Sequence, residues 1–249
     1  AICIDDAEAR ALIPMLTRRV ITYGSDTSAD YRATNVQVAG ASWCFDVERG
    51  PDKPMLQVSL GIPGQHNVMN ALAAIAIASD EGIADEAIVQ GLAEFAGVDR
   101  RFEITAPVNI DDTTITLVDD YGHHPTEVEA VIATARQVWP ERRVVMVYQP
   151  HRFSRTKDLF DDFVRVLSTV DVLLLLDVYS AGEQAIDGAD SRSLIASIRQ
   201  RGQISPLHAQ DTTEAMQLLP NICETDDVVL VQGAGNVSTL SKTLRALRV

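Results

Sequence analysis

The pattern of apolar and polar positions divides the chain into two differently organised parts. In the second part, short apolar runs such as VVMVY, VLLLLDV and VVLVQ alternate with amphipathic helical stretches. Strands that are apolar at every position suit a sheet covered by helices on both faces. Their alternation with helices predicts a doubly wound, mostly parallel α/β sheet. The strands are predicted at 104–108, 115–118, 144–148, 172–177 and 228–232, and the helices at 126–138, 157–166, 191–201, 213–219 and 238–247.

The first part has a different texture, with strict alternation between Gly and Pro turns over residues 31–60. Alternation of this kind predicts an antiparallel meander or hairpin. Around it we predict strands at 2–4 and 19–22 and helices at 7–17, 67–79 and 85–95. The polar, Arg-rich segment VDRRFEI then marks a junction, so the domain boundary is predicted near 96–99. The two domains would span residues 1–97 and 98–249.

Composition narrows the class of protein. Hydrophobic residues make up 46% and charged residues 22%, which is typical of a soluble globular protein with a sizeable core. A net charge of −14 argues against nucleic acid as the main partner. The three cysteines show no CxxC spacing, which favours a reducing, cytoplasmic setting without a zinc or disulfide framework.

The chain shows no targeting or membrane signal. No apolar run reaches the roughly 20 residues that a membrane helix needs, so we expect no membrane insertion. The first residues, AICIDDAEAR, lack the basic and apolar regions of a signal peptide. They also lack an initiator Met and read as a strand end, so we expect the chain to start inside a larger protein. The sequence does not predict an oligomeric state.

Polar clusters follow four of the predicted strands. They are DDYGHHP at 119–125, YQPHRFSRT at 148–156, DVYSAGE at 177–183 and QGAGN at 232–236. The carboxyl ends of parallel strands lie along one edge of a sheet, where ligands bind in open α/β folds. The four clusters are therefore predicted to converge on one site.

The first cluster has several possible roles. Asp119 or Asp120 could bind a ribose hydroxyl or a metal-bound water, while His123 and His124 could bind phosphate, transfer protons or ligate a metal. Alternatively, the aspartates cap a helix and the histidines lie on the surface. Zinc is disfavoured because adjacent histidines rarely aim at one ion and HExxH spacing is absent.

The second cluster places His151, Arg152 and Arg155 within one helical turn. Two guanidinium groups there suit a carboxylate or phosphate. The alternative is a solvated helix N-terminus. Cations at that end of a helix are locally unfavourable, which favours an anionic ligand.

The remaining motifs give weaker indications of function. GAGNVS, at 233–238, is a partial GxGxxG loop that could bind a dinucleotide, or its glycines could allow close turn packing. Glu183 could be a ligand or a loop carboxylate. His66, Asn67 and Asn70 in GQHNVMN could contact adenine, or form a loop with a helix cap. No GxxxxGK[ST] P-loop occurs in the chain.

The strings GQHNVMNALAA, DRRFE, DDYGHHPTE, YQPHRFSRT, YSAGE and QGAGN, in this order, closely resemble the Mur ligases. DDYGHHP together with PHRFSRT resembles the alanine-adding members in particular. The resemblance covers essentially the whole chain. It implies the latter part of a central α/β ATP-binding domain at 1–97, with an antiparallel hairpin region, and a C-terminal Rossmann-like domain at 98–249.

This resemblance implies ATP-dependent amide formation in peptidoglycan precursor synthesis, and hence a part in cell wall biogenesis, cell shape and cell division. L-alanine would be joined to UDP-N-acetylmuramate through an acyl phosphate, with ATP and Mg²⁺ as cofactors. The family's UDP-binding domain and P-loop are absent here. We therefore expect the chain alone not to turn over, which an ATP-hydrolysis assay with both substrates would check.

The resemblance also implies roles for individual residues. Catalytic roles would fall to His123, His151 and Arg152. Residues expected to bind substrate are Tyr148, His151, Arg152 and Arg155. Residues expected to bind ATP are His66, Asn67 and Asn70 at the adenine, Arg100 and Arg101 at the phosphates, and Asp120 with Tyr121 at the ribose. The competing hypotheses are a dinucleotide-binding oxidoreductase, a non-catalytic nucleotide-binding module and a metal hydrolase using the histidines.

Overall fold

The computed structural model describes residues 1–39, 42–51 and 53–248. The chain divides into two compact units, Ala1–Gly97 and Val98–Val249. Each unit has its own sheet and its own apolar core. No helix in the described residues is long and apolar enough to cross a membrane.

The first unit contains a five-stranded sheet in the order β1-β2-β3-β4-β5. The segment from β3 to β5 is antiparallel, which confirms the predicted meander, whereas β1, β2 and β3 pair in parallel. Apolar side chains on one face of this sheet pack against α2. The elements are β1 (Ile2–Cys3), α1 (Ala7–Leu12), β2 (Thr22–Gly24), β3 (Tyr31–Ala39), β4 (Ser42–Glu48), β5 (Leu56–Leu60), α2 (Gln65–Asp80) and α3 (Asp85–Glu94).

Two predictions in this unit were wrong. The helix expected at 7–17 ends at Leu12 and continues only as a 3₁₀ turn, Ile13–Met15. Pro14 lies in that turn and has no N–H with which to extend the α-helical ladder. The strand expected at 19–22 instead spans Thr22–Gly24.

The second unit contains a six-stranded sheet in the order β10-β9-β8-β11-β7-β6. Only β6 runs antiparallel to its neighbour, so the mostly parallel sheet is confirmed. The strands are β6 (Glu103–Ile110), β7 (Thr113–Asp120), β8 (Val144–Tyr148), β9 (Val172–Leu176), β10 (Leu207–Ala209) and β11 (Val228–Gln232). The helices are α4 (Pro125–Val138), α5 (Phe153–Asp158), α6 (Phe160–Leu167), α7 (Ser191–Arg201), α8 (Thr212–Ile222) and α9 (Ser238–Arg245).

Helices cover both faces of this sheet, as the continuous apolar strands predicted. Helices α4, α6 and α7 pack against one face, which includes Met146 and Leu230. Helices α8 and α9 pack against the other, which includes Val147 and Val231. Strand β11 lies between β7 and β8 but leads into α9, on the face opposite to α4 and α6. In open α/β sheets, ligands bind at the carboxyl ends of the strands where such a reversal occurs.

Candidate functional site at the carboxyl ends of the strands

The carboxyl ends of three strands are joined by four aromatic rings, which we call the aromatic row: Tyr121, His123, His151 and Tyr179. The His123 and His151 ring centroids are 5.6 Å apart, and those of His151 and Tyr179 are 5.5 Å apart. The Tyr121 ring meets His123 edge-on at 5.4 Å. The structure therefore brings together three of the four strand-end clusters through these rings.

Asp120 is buried, and both of its carboxylate oxygens accept hydrogen bonds from other residues of the second unit. Its Oδ2 accepts a hydrogen bond from the Phe102 N–H at 2.9 Å. Its Oδ1 accepts from the Gly122 N–H at 2.7 Å and from Gln232 Nε2 at 2.9 Å. Burial raises the pKa of the Asp120 carboxyl, although these hydrogen bonds oppose the shift. The structure thus gives Asp120 a role in fixing the loop after β7.

Asp119 is also buried and pairs with two guanidinium groups. Arg245 approaches at 2.9 Å and Arg100 at 3.3 Å. Burial raises the pKa of the Asp119 carboxyl despite both cations. Arg100 additionally donates to the Gly233 carbonyl and lies over the Tyr121 ring at 5.1 Å. Its Nε and one Nη2 N–H are therefore used within the unit.

Arg101 differs from Arg100 because its side chain is 53% exposed. Its guanidinium lies 5.7 Å from the Tyr121 ring centroid and 3.9 Å from Glu127. A guanidinium at the surface beside an exposed aromatic ring can bind a phosphate without breaking a close ion pair. The side chains of Arg101 and Tyr121 are thus both accessible to a ligand.

Glu127 holds the two adjacent histidines, a role that was not predicted from the sequence. Its Oε2 accepts hydrogen bonds from the backbone N–H of His123 at 2.8 Å and of His124 at 3.0 Å. Burial opposes ionisation, but these bonds outweigh it and lower the pKa of Glu127. His124 Nδ1 accepts from the Thr126 N–H at 3.3 Å, so this histidine caps α4. His123 instead joins the aromatic row.

Tyr148 does not reach the surface of the site. Its side chain is fully buried against Phe163, and its hydroxyl donates to the His123 carbonyl at 3.3 Å. Burial raises the pKa of this phenol. We predicted a direct substrate contact for Tyr148, but the structure places it beneath the site, where it supports His123.

Arg152 and Arg155 lie beside the aromatic row. The Arg152 side chain forms no hydrogen bond or ion pair with the described residues, and its backbone N–H donates to the Tyr179 carbonyl at 2.9 Å. Arg155 Nη1 donates to the His151 carbonyl at 3.1 Å and contacts its Nδ1 at 3.3 Å. Within the described chain, neither guanidinium pairs with a carboxylate. Both guanidinium groups therefore keep N–H donors that the carboxylate or phosphate of a ligand could use.

Glu183 is held mainly by Ser154 and forms no close ion pair with Arg152 or Arg155, although the charge of Arg152 also favours its ionised form and a lower pKa. Its Oε1 accepts from the Ser154 hydroxyl at 2.6 Å and its Oε2 from the Ser154 N–H at 3.0 Å. The two Ser154 bonds lower the pKa of Glu183. Its contacts thus favour the structural interpretation.

The glycines after β11 are explained by close packing. A Cβ on Gly235 would lie 2.4 Å from Gln149 Oε1 and 2.7 Å from Tyr179 Cγ. Gln149, which is buried, donates to Asn236 at 2.7 Å and accepts from the Val237 N–H at 3.0 Å. Of the two interpretations of GAGNVS, these contacts favour turn packing.

We expect Gly235→Ala to lower the free energy of unfolding by about 1–3 kcal/mol, because the added methyl overpacks a filled contact. Gly91→Ala is the matched control. Gly91 lies in α3 with open space around the position of its Cβ, so alanine there should stabilise by up to about 1 kcal/mol. Urea unfolding of both variants checks this. Equal effects of the two substitutions would contradict the packing explanation.

The adenine-contact candidates lie at the start of α2 in the first unit. The Asn67 side chain is buried, donates to the Pro63 carbonyl at 2.6 Å and accepts from Asn70 at 3.3 Å. Asn67 thus stabilises the loop before the helix, while Asn70 is exposed and His66 is partly buried.

The chain thus consists of a doubly wound α/β domain with arginine side chains at the carboxyl ends of its strands, joined to a smaller mixed-sheet unit. A model of the Mur ligase glutamate ligase domain matches residues 100–235, and a model of the Mur ligase middle domain matches residues 1–78. The chain belongs to the Mur ligase family.

Solved structures agree with this assignment. A UDP-N-acetylmuramate-alanine ligase from Thermotoga maritima is 27% identical with a TM-score of 0.71, and the match covers 90% of this chain and 46% of that one. A MurF ligase from the same organism, solved with ADP, is 16% identical with a TM-score of 0.67, covering 98% and 52%. Folylpolyglutamate synthase from Mycobacterium tuberculosis, solved with ADP and AMPPCP, is 16% identical with a TM-score of 0.65, covering 90% and 49%.

The last two likenesses show the fold alone. This chain spans about half the length of each of the three solved relatives, with 46%, 52% and 49% of them covered.

Proposed function

We propose that the protein carrying this chain is a cytoplasmic ATP-dependent ligase that forms an amide bond between L-alanine and UDP-N-acetylmuramate in peptidoglycan precursor synthesis. The observation that carries the proposal is the pair Arg152 and Arg155, which have no carboxylate partner in the described chain and lie beside His151 at the strand ends. A free amino acid has an α-carboxylate, which two guanidinium groups can hold by charge-assisted hydrogen bonds.

ATP would lie at the other end of the aromatic row. Arg101 would contact its phosphates, and Tyr121 offers an exposed ring beside that cation. Asp120 would act indirectly, by holding the loop that carries Tyr121, because its oxygens already accept three internal hydrogen bonds. Asn70, with His66 and Asn67, remains our candidate for adenine.

The described residues do not form an evident magnesium site. No group of three or more His, Cys, Asp or Glu side chains in the described part of the chain is arranged to hold a metal ion. Asp119, Asp120 and Glu127 are engaged with arginines or backbone N–H groups. We therefore assign no step to a metal held by these residues.

The choice of L-alanine rests on two supports. The chain is 27% identical to a UDP-N-acetylmuramate-alanine ligase over 90% of its length. In addition, DDYGHHP and PHRFSRT resemble the alanine-adding members. MurF ligase and folylpolyglutamate synthase have similar TM-scores, so acceptor competition among L-alanine, L-serine, glycine and L-glutamate is the assay that defines specificity.

The competing oxidoreductase hypothesis is tested by titrating the chain with ATP and with NAD. We expect saturable binding of ATP that ADP displaces, with none of NAD. Arg101→Ala should weaken ATP binding. Arg192→Ala, which removes another exposed arginine in the first turn of α7, should leave it unchanged. NAD binding without ATP binding would contradict the proposal, and stoichiometric zinc in the purified chain would favour a metal hydrolase.

A further inference from the structure

In the two histidines of the aromatic row, Nδ1 contacts different kinds of hydrogen-bond partner. The partner of His123 Nδ1 is an acceptor, and the partner of His151 Nδ1 is a donor. His123 Nδ1 lies 3.2 Å from the Tyr121 carbonyl oxygen. A carbonyl oxygen can only accept, so Nδ1 carries the proton when this ring is neutral. Glu127 Oε2 lies 3.7 Å from the same nitrogen and favours the same tautomer. Neutral His123 therefore has its lone pair on Nε2.

His151 is held in the other tautomer. Its Nδ1 lies 3.3 Å from Arg155 Nη1, and a guanidinium can only donate. The same Nη1 donates to the His151 carbonyl at 3.1 Å, which fixes the guanidinium in place. Nδ1 is therefore the acceptor, and neutral His151 carries its proton on Nε2.

Both Nε2 atoms are available to a ligand. Neither forms a hydrogen bond with a residue in the described part of the chain. The rings are 5.6 Å apart between centroids, so one small substrate can reach both.

The two histidine rings have different charged and titratable neighbours. His151 faces His123, Arg155, Arg152 and Glu183. Burial, followed by the neighbouring His123, Arg155 and Arg152, lowers the pKa of His151. This shift favours a neutral ring near pH 7. The titratable groups next to His123 are Tyr121, Glu127, Tyr148 and His151.

We propose that the opposite tautomers divide the chemistry of amide formation: His123 Nε2 accepts a proton from the ammonium group of the amino acid, and His151 Nε2–H donates a hydrogen bond to an anionic substrate oxygen. The tautomers follow from the contacts alone, while the chemical roles rest on the proposed function.

The proton transfer converts the ammonium to an amine and His123 to an imidazolium. The amine lone pair then forms the C–N bond at the acyl carbon of the acyl phosphate. The C–O bond to the phosphate breaks, and its electron pair leaves with the phosphate. The second proton on nitrogen passes to the departing phosphate, which leaves as HPO₄²⁻. The His151 N–H stabilises negative charge that develops on oxygen during this step.

The tautomers can be measured directly by long-range ¹H–¹⁵N correlation spectra of the histidine-labelled chain. The pH should be about 8.5, above the ordinary histidine pKa of about 6.5. His124 and His208 are internal references. His124 Nδ1 accepts from the Thr126 N–H, and His208 Nε2 lies 2.7 Å from an Asp177 carboxylate oxygen, so both should be protonated on Nε2. Single His→Gln variants assign the signals.

We expect His151 to show the pattern of these two references and His123 to show the opposite one, with protonated Nδ1 and unprotonated Nε2. Arg155→Met removes the donor to His151 Nδ1, so it should produce a mixture of tautomers at His151 and leave His123 unchanged. The same tautomer at both positions in the unsubstituted chain would overturn the proposal, whatever the reaction proves to be.

Kinetics of the protein that carries this chain then test the roles. Glutamine places an N–H donor near the position of Nε2 but takes up no proton. His151→Gln should remain within about tenfold of the unsubstituted kcat/KM, whereas His151→Ala should fall about 100-fold. His123→Gln should fall about 100-fold or more and lose the acidic limb of its pH profile.

These outcomes separate the two claims. An unchanged pH profile in His123→Gln, with the expected tautomers in the spectra, would remove His123 as the proton acceptor. Equal losses in His151→Gln and His151→Ala would remove the donor role of His151. If no ligation occurs in the unsubstituted protein while the tautomers are as expected, the proposed function fails instead.

Discussion

Arg152→Ala should lower kcat/KM for the amino-acid substrate about 100-fold, with the loss mainly in the KM for that substrate. The Arg152 side chain is exposed and forms no hydrogen bond or ion pair in the described chain, so its removal leaves no internal partner unsatisfied. Loss of a charge-assisted pair to a carboxylate costs about 3 kcal/mol, which corresponds to about 100-fold. Steady-state kinetics with each substrate varied in turn check this.

The control for Arg152→Ala is Arg192→Ala. Arg192 is also an exposed arginine near a helix N-terminus, in α7, and it forms no ion pair with the described residues. Both variants remove one positive charge close to a helix N-terminus, Arg152 at the N-cap of α5 and Arg192 in the first turn of α7. Equal kinetics for both would remove Arg152 from the site, and the central observation of the proposed function would be lost.

Asp120→Asn should lower the free energy of unfolding of the second unit by about 2–4 kcal/mol. Oδ2 accepts from a backbone N–H at Phe102, and Oδ1 accepts from another at Gly122. Whichever way the new amide is oriented, its NH₂ group faces a fixed N–H donor. A buried donor left without an acceptor costs about 1–3 kcal/mol, and the repulsion adds to this cost.

The urea unfolding of Asp120→Asn is best followed through Trp139 in a Trp43→Phe background, because the chain has two tryptophans and Trp43 lies in the first unit. Trp139 stacks near Phe102 at 6.2 Å, so it reports on the segment that Asp120 holds. Asp112→Asn is the exposed control and should have little effect. Unchanged stability of Asp120→Asn, with a loss of ATP affinity, would instead return Asp120 to a direct nucleotide contact.

The parallel sheet could be predicted well where burial alone decides the structure. The runs VVMVY and VVLVQ are apolar at every position, and β8 and β11 have the predicted bounds. Strand β10 was missed because it has three residues and its first, Leu207, is exposed. The helix predicted at 157–166 is two helices that meet at Leu159, whose φ of −116° and ψ of 26° leave the helical region in a way that no pattern of apolar residues indicates.

The candidate site could be located from the sequence, because parallel strands place their carboxyl ends together. The environment of each side chain could not be predicted in this way. Asp119 and Asp120 are adjacent in sequence, yet one pairs with arginines and the other with backbone N–H groups. Tyr148 was predicted to touch substrate, but it ends a strand whose residues are all buried. The role of Glu127 depends on the path of the loop before α4, which spacing does not specify.

The most direct test of the central claim is an isotope-transfer assay with the protein that carries this chain. UDP-N-acetylmuramate labelled with ¹⁸O in its carboxylate is incubated with ATP and L-alanine, and the products are analysed by mass spectrometry. We predict equal amounts of ADP, phosphate and amide, with one ¹⁸O atom transferred from the carboxylate to each phosphate. Amide without label in the phosphate would contradict the acyl phosphate route, and ATP consumption without amide would contradict the ligase assignment.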